Sequence, residues 1–121
     1  MGENKKILVV DDSETNVFLL QKLLEEEGFD IEYAYSGKEA LKLLNSKTYF
    51  LVLMDIMMPG IDGYDILQKL KETNKLKSTP IIMVTARDDT ESQDKALQMG
   101  ASDYLTKPLD LKKLKDIIKQ Y

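Results

Sequence analysis

A chain of 121 residues, 43% hydrophobic and 31% charged, suits one domain around a single core and is too short for two of ordinary size. Its net charge of −4, from 17 basic and 21 acidic residues, argues against a nucleic-acid-binding face, which needs dense Lys and Arg. With no Cys and no His, disulfides, thiolate or imidazole metal sites, a thiol nucleophile and an imidazole base are excluded, so any chemistry rests on carboxylates, hydroxyls, Lys and backbone.

The first element is the apolar run KILVV at 6–10. It ends at Asp11, too soon for a signal peptide or a membrane span, and the expectation is a cytoplasmic protein without membrane contact. A helical segment follows at 15–28, with Val17, Leu20 and Leu24 on one face and Gly28 as its stop. IEYAY at 31–35 is the second run, and SGKEALKLLN at 36–45 opens as a capping box of Ser36 with Glu39. FLVLM at 50–54 leads to a helix over 63–72 that Asp62 can cap, and PIIMV at 80–84 leads to one ending at Gly100. SDYLT at 102–106 precedes LKKLKDIIKQ at 111–120, apolar at Leu111, Leu114, Ile117 and Ile118. From Lys107 onward five Lys stand against two Asp, which reads as a solvated helix face with cations toward its C-terminal end.

Runs such as FLVLM and IIMV show no polar alternation, the pattern of a strand buried on both faces of a parallel sheet. Strand and helix alternate five times without linker or repeat. The expected fold is therefore α/β, a three-layer doubly wound five-stranded parallel sheet with right-handed crossovers, in a single domain over 1–121.

Ligands of such sheets bind beyond the carboxyl ends of the strands, where strand order reverses. After the first run come Asp11 and Asp12; Asp55 follows the third, Thr85 and Ala86 the fourth, and Lys107-Pro108 the fifth. Three carboxylates in one pocket repel, by about 4 kcal/mol for charges about 4 Å apart at an effective dielectric near 20. A hard divalent cation such as Mg²⁺ relieves that repulsion and takes phosphate oxygens as further ligands. Lys107 adds a point charge, and the Thr85 hydroxyl and Ala86 amide add hydrogen bonds, so the set reads as a site for phosphoryl chemistry on Asp55.

Each residue alone has a plainer reading. Asp11 or Asp12 can cap or turn, Thr85 can end a strand, and Lys107 can be a surface charge. MMPGIDG can be only a turn, and Met54, Met57, Met58 and Met83 core filler. Their coincidence at four strand ends favours a shared site.

The stretches VVDDS, VLMDIMMPGIDG, VTA and LTKP resemble a response-regulator receiver domain of two-component signalling, over essentially the whole chain. The resemblance implies a flavodoxin-like (βα)5 fold in which Asp55 is the phospho-acceptor. Asp11 and Asp12 would be the acidic pair holding Mg²⁺, joined by the Met57 backbone carbonyl. Thr85 and Lys107 would fill the switch and phosphate-pairing roles, Tyr104 would be the aromatic switch, and the Lys107-Pro108 bond would be cis. A histidine kinase or histidine phosphotransfer protein would be the donor, and the effector would meet the surface of the fourth helix, fifth strand and fifth helix. The domain would be no enzyme toward other substrates, catalysing only its own phosphorylation and a slow self-dephosphorylation. Met57 and Arg87 would border the attacking water without assisting it. A monomer, with dimerisation on phosphorylation as the alternative, is the expected assembly. DDSETN with Asn16 resembles receivers in multidomain proteins, and a free-standing regulator and a part of a larger one both fit.

Three other readings fit less well. A haloacid-dehalogenase-like phosphatase needs a second Asp two residues after the nucleophile, where this chain has Met57. A flavin or dinucleotide binder lacks its G-x-G-x-x-G after the first strand. A structural domain with a vestigial acidic site would accept no phosphoryl group.

Overall fold

Strand and helix alternate along the computed structural model, which describes residues 5–121; the first four residues of the expected 1–121 domain lie outside the described residues. The strands are β1 (Lys6–Val10), β2 (Asp30–Ala34), β3 (Leu51–Met54), β4 (Ile81–Thr85) and β5 (Asp103–Thr106). The helices are α1 (Glu14–Glu26), α2 (Gly37–Ser46), α3 (Gly63–Glu72), α4 (Thr90–Gln98) and α5 (Leu111–Ile118). All pairings are parallel in the order β2-β1-β3-β4-β5, the flavodoxin-like order. Strand order reverses between β1 and β3, and register places Val10 beside Met54 there, so the residues that follow, Asp11 and Asp55, emerge side by side.

Two apolar layers sandwich the sheet. On one face, Leu8, Val10, Val52, Met54, Ile81 and Met83 pack with residues of α2, α3 and α4. On the other, Ile7, Val9, Leu51, Leu53, Ile82 and Val84 pack with α1 and α5. Alternate residues of one strand thus serve opposite cores, which explains their unbroken hydrophobicity. Among the described residues, no helix is long and apolar enough to cross a membrane.

Boundaries differ from expectation by a residue or two, for identifiable reasons. β4 begins at Ile81 because Pro80 has no amide to donate, although its carbonyl still accepts from Val52. β4 extends to Thr85, paired with Thr106. Gly28 and Gly100 stop α1 and α4 with φ of 93° and 111°, as their positions suggested. Ser36 caps α2, but the Glu39 carboxylate reaches back to the Tyr35 amide and the Ser36 hydroxyl, not to the Ser36 amide that a capping box would use. Asp62 and Asp65 form a complete capping box at α3.

The edge strand β2 carries Glu32, which accepts from the Tyr49 hydroxyl at 2.6 Å and pairs with Lys6 and Lys47, each at 2.9 Å. Burial opposes its charge, but these three donors outweigh it and hold the carboxyl at about 2. A carboxyl depressed in the folded state gives stability that is present above its unfolded pKa and is lost as pH falls through the folded one. Glu32→Gln is therefore expected to flatten the loss of stability between about pH 4.5 and about 2. Denaturant unfolding across that window checks it; a variant curve parallel to wild type would assign the acid lability elsewhere.

Candidate functional site

The β1 end delivers Asp11 and Asp12, and the β3 end delivers Asp55. Asp11 and Asp55 are buried, 3% and 7% exposed, whereas Asp12 is exposed. One oxygen of each carboxylate lies within 4.8 Å of the others. Lys107, just past β5, bridges the buried pair: its Nζ donates to Asp11 Oδ2 at 2.7 Å and to Asp55 Oδ2 at 2.9 Å. Burial would lower the Lys107 pKa, yet the two carboxylates outweigh it and raise it, so the ammonium stays charged.

The remaining oxygens of the buried acids are also engaged. Asp11 Oδ1 accepts the Ser13 amide at 2.9 Å, its Oδ2 also takes Asn16 Nδ2 at 3.3 Å, and Asp55 Oδ1 accepts the Met57 amide at 3.1 Å. Asp11 therefore does turn the chain, as its plain reading had it, but the N-cap of α1 is Ser13, which accepts the Asn16 amide. Asp12 makes no hydrogen bond or ion pair among the described residues. Two of the three acids thus share one ammonium, and the third has none. The three carboxylates offer one oxygen each as ligand atoms, a set suited to a hard divalent cation.

Thr85 ends β4 fully buried, its hydroxyl accepting the Arg87 amide at 3.4 Å, and Ala86 beside it is exposed. The Lys107-Pro108 peptide is cis, as the resemblance implied, and the Lys107 amide donates to the Thr85 carbonyl at 2.8 Å. Tyr104 lies two residues before the end of β5, level with Met83 of β4, turned inward and 8% exposed, its hydroxyl donating to the Arg87 carbonyl at 2.6 Å. Burial, with smaller contributions from Tyr64 and Asp89, pushes its phenol up to about 12. Arg87 itself leans on Asp89, Nε to Oδ1 at 3.6 Å.

The loop after Asp55 is confined by glycines. A side chain at Gly37 would begin well inside contact distance of the Ile61 carbonyl oxygen, and one at Gly63 would begin 2.8 Å from the Asp55 carbonyl oxygen and the Ile56 Cα. The Gly63 amide closes the loop onto the Ile56 carbonyl at 3.0 Å. Met57 stands 55% exposed on this loop and, with Arg87 and Tyr64, lines a cavity of about 370 Å³.

The structure thus brings Asp11, Asp12, Asp55 and Lys107 into one cluster, with Thr85 and Tyr104 on the adjoining strands. Sequence reasoning missed the Asn16 contact, the Ser13 cap and both glycine clearances. Only the S-x-x-N spacing of Ser13 and Asn16 offered a local signal.

The family model of the response regulator receiver domain matches residues 7–119. The alkaline phosphatase synthesis transcriptional regulatory protein PhoP of Bacillus subtilis is 43% identical over 105 residues, 87% of this chain and 43% of that protein. The CpxR homolog of Haemophilus influenzae, a transcriptional regulatory protein, is 44% identical over 109 residues, 90% of this chain and 46% of its own. The chain thus spans about half the length of these curated relatives. Among solved structures, the receiver domain of the Francisella response regulator 1452 superposes with a TM-score of 0.90 at 38% identity, covering 97% of this chain and 95% of that one.

Proposed function

Since the chain belongs to the response-regulator receiver family, we propose that it accepts a phosphoryl group onto Asp55 from a histidine kinase or histidine phosphotransfer protein, with Mg²⁺ held by Asp11, Asp12 and Asp55. The observation that carries this reading is the cluster itself: three carboxylates within 4.8 Å, one of them free of any described partner, and a lysine bridging the two that are buried. A structural ion pair needs one acid, whereas this site keeps two charges in excess.

The Met57 carbonyl, on the loop after Asp55, would complete the protein's share of Mg²⁺ ligands. When bound, the ion supplies positive charge to the transferring phosphoryl oxygens. Asp55 Oδ attacks phosphorus in line as the phosphorus–nitrogen bond of phosphohistidine breaks. Lys107 keeps its charge and has a pivot within reach of both carboxylates, so it can follow the phosphoryl group onto Asp55. The Ala86 amide and the Thr85 hydroxyl stand at the neighbouring strand end to take its other oxygens. A donor must come within bonding distance of Asp55, and an apolar groove of about 440 Å³ starts at Asn16 and Lys107 and runs between α1 and the β5–α5 loop, along Leu19, Leu23, Leu109 and Leu111. Such a groove fits the apolar face of a donor helix.

Phosphorylation would draw Thr85 toward the acceptor and favour the inward place of Tyr104, biasing the α4-β5-α5 surface toward the form that its effector binds. Mg²⁺ titration, with intact mass after treatment with an acyl phosphate, tests the proposal. One Mg²⁺-dependent phosphoryl group per chain is expected, with Mg²⁺ affinity weakened about tenfold or more in Asp12→Asn. Equal affinity in the two proteins would remove Asp12 from the site.

The phosphorylated form should be long-lived. Met57 is apolar and Arg87 leans on Asp89, so neither orients a water at phosphorus. Met57→Asn combined with Arg87→Glu is expected to lose phosphate several-fold faster at matched Mg²⁺; an unchanged or slower release would sink the idea.

A further inference from the structure

α4 is held to the rest of the domain by unusually small side chains. Its buried residues are only Ser92 and Ala96, whereas α1 buries Val17, Leu20 and Leu24, and α3 buries Ile66, Leu67 and Leu70. Little apolar area therefore fixes its position, and elements of this kind move at low cost. Two tyrosine hydroxyls fasten its approach and first turn. Tyr104 holds the Arg87 carbonyl from β5, and Tyr64 holds the Ser92 carbonyl from α3 at 3.3 Å. Tyr64 also lies under Lys95 of α4, whose Nζ is 4.2 Å from the ring centroid, a cation–π contact that adds to the hydrogen bond. Tyr64 directly follows Gly63, the residue that closes the loop from Asp55.

We propose that Tyr64 is a positioning residue, the strut that couples the loop after Asp55 to the first turn of α4. The reach of this inference to signalling rests on the reading of Asp55 as acceptor and of α4 as part of the output surface. Because α4 carries no large buried anchor, displacement of α3's first turn is passed on through one half-buried side chain. Ser92 and Lys95 receive it on successive turns of the helix, so α4 turns as a body.

Amide-resolved NMR on the full chain tests the strut, with Mg²⁺ and beryllofluoride as the phosphoryl mimic. In Tyr64→Leu, amides of residues 90–98 are expected to exchange about tenfold faster than in wild type, while sheet amides keep their protection. On adding the mimic, residues 56–63 should shift as in wild type and residues 90–98 by roughly half as much or less. Tyr64→Phe, which keeps the ring and its Lys95 contact, should fall between, and adding Lys95→Met to it should reproduce Tyr64→Leu. A merely structural role would leave the ratio of α4 shifts to loop shifts unchanged. Wild-type exchange and wild-type shifts across 90–98 in both Tyr64→Leu and the double variant would overturn the strut. If wild type itself gives no response to the mimic, the acceptor reading fails, and the exchange rates alone then decide whether Tyr64 fixes α4.

Discussion

Asp55→Asn is expected to take up no phosphoryl group from an acyl phosphate and Mg²⁺, a loss on the order of 10⁶-fold, as when a nucleophile is removed from an active site. An amide oxygen carries no charge with which to attack phosphorus, and its acyl phosphate analogue does not form. The fold should persist: an Asn side chain keeps an oxygen for the Met57 amide, and Lys107 keeps Asp11 at 2.7 Å. Removing one of three crowded carboxylates also relieves repulsion, so unfolding stability should change by only about 1 kcal/mol. Intact mass spectrometry decides the matter. Phosphorylation of the Asp55→Asn protein would move the acceptor to Asp11 or Asp12.

Lys107→Ala should instead reach both stability and switching. It leaves Asp11 and Asp55 buried together without their shared cation. Breaking a fully buried pair costs about 3–5 kcal/mol; with 22% of the Lys107 side chain exposed, we expect about 2 kcal/mol. In wild type the folded-state pKa of Lys107 is raised above its ordinary 10.5, so its stabilisation is full below that value and fades as pH rises through the higher one. A divalent cation binding only the folded protein returns stability by mass action, and its gain should be larger where no ammonium competes. Thermal unfolding with and without Mg²⁺ measures both effects. An equal Mg²⁺ increment in the two proteins would show that Lys107 does not occupy the same charge space as the ion.

Why the cluster was legible in the sequence follows from the sheet. Strands buried on both faces leave unbroken apolar runs, and parallel pairing puts every carboxyl end on one edge. The first polar residue after each run, Asp11, Asp55 or Lys107, therefore had to reach that edge, whatever its distance along the chain. Strand ends were less legible, because Pro80 and Thr85 differ in hydrogen bonding and not in hydropathy. Asp89 and Asp110 cap α4 and α5, and their residue type was a signal that periodicity alone passes over. The Tyr64 contact with Ser92 spans 28 residues and depends on the angle between two helices, for which the chain carries no local pattern. Gly37 likewise reads as an ordinary helix start until Ile61 is seen against it.

The clearances at Gly37 and Gly63 also bear on how the sequence can drift. Where a helix residue packs against other side chains, those neighbours can repack around an added methyl group. At these two positions a methyl group meets main-chain atoms, at Gly63 from only 2.8 Å and at Gly37 from closer still, and the main chain has no alternative rotamer to offer. Even alanine, the smallest side chain, is thus forbidden at the first residue of α2 and of α3. Selection on phosphoryl transfer would then mark two residues that touch no phosphate, and a map of tolerated substitutions would draw the outline of the site on its far side, in glycine.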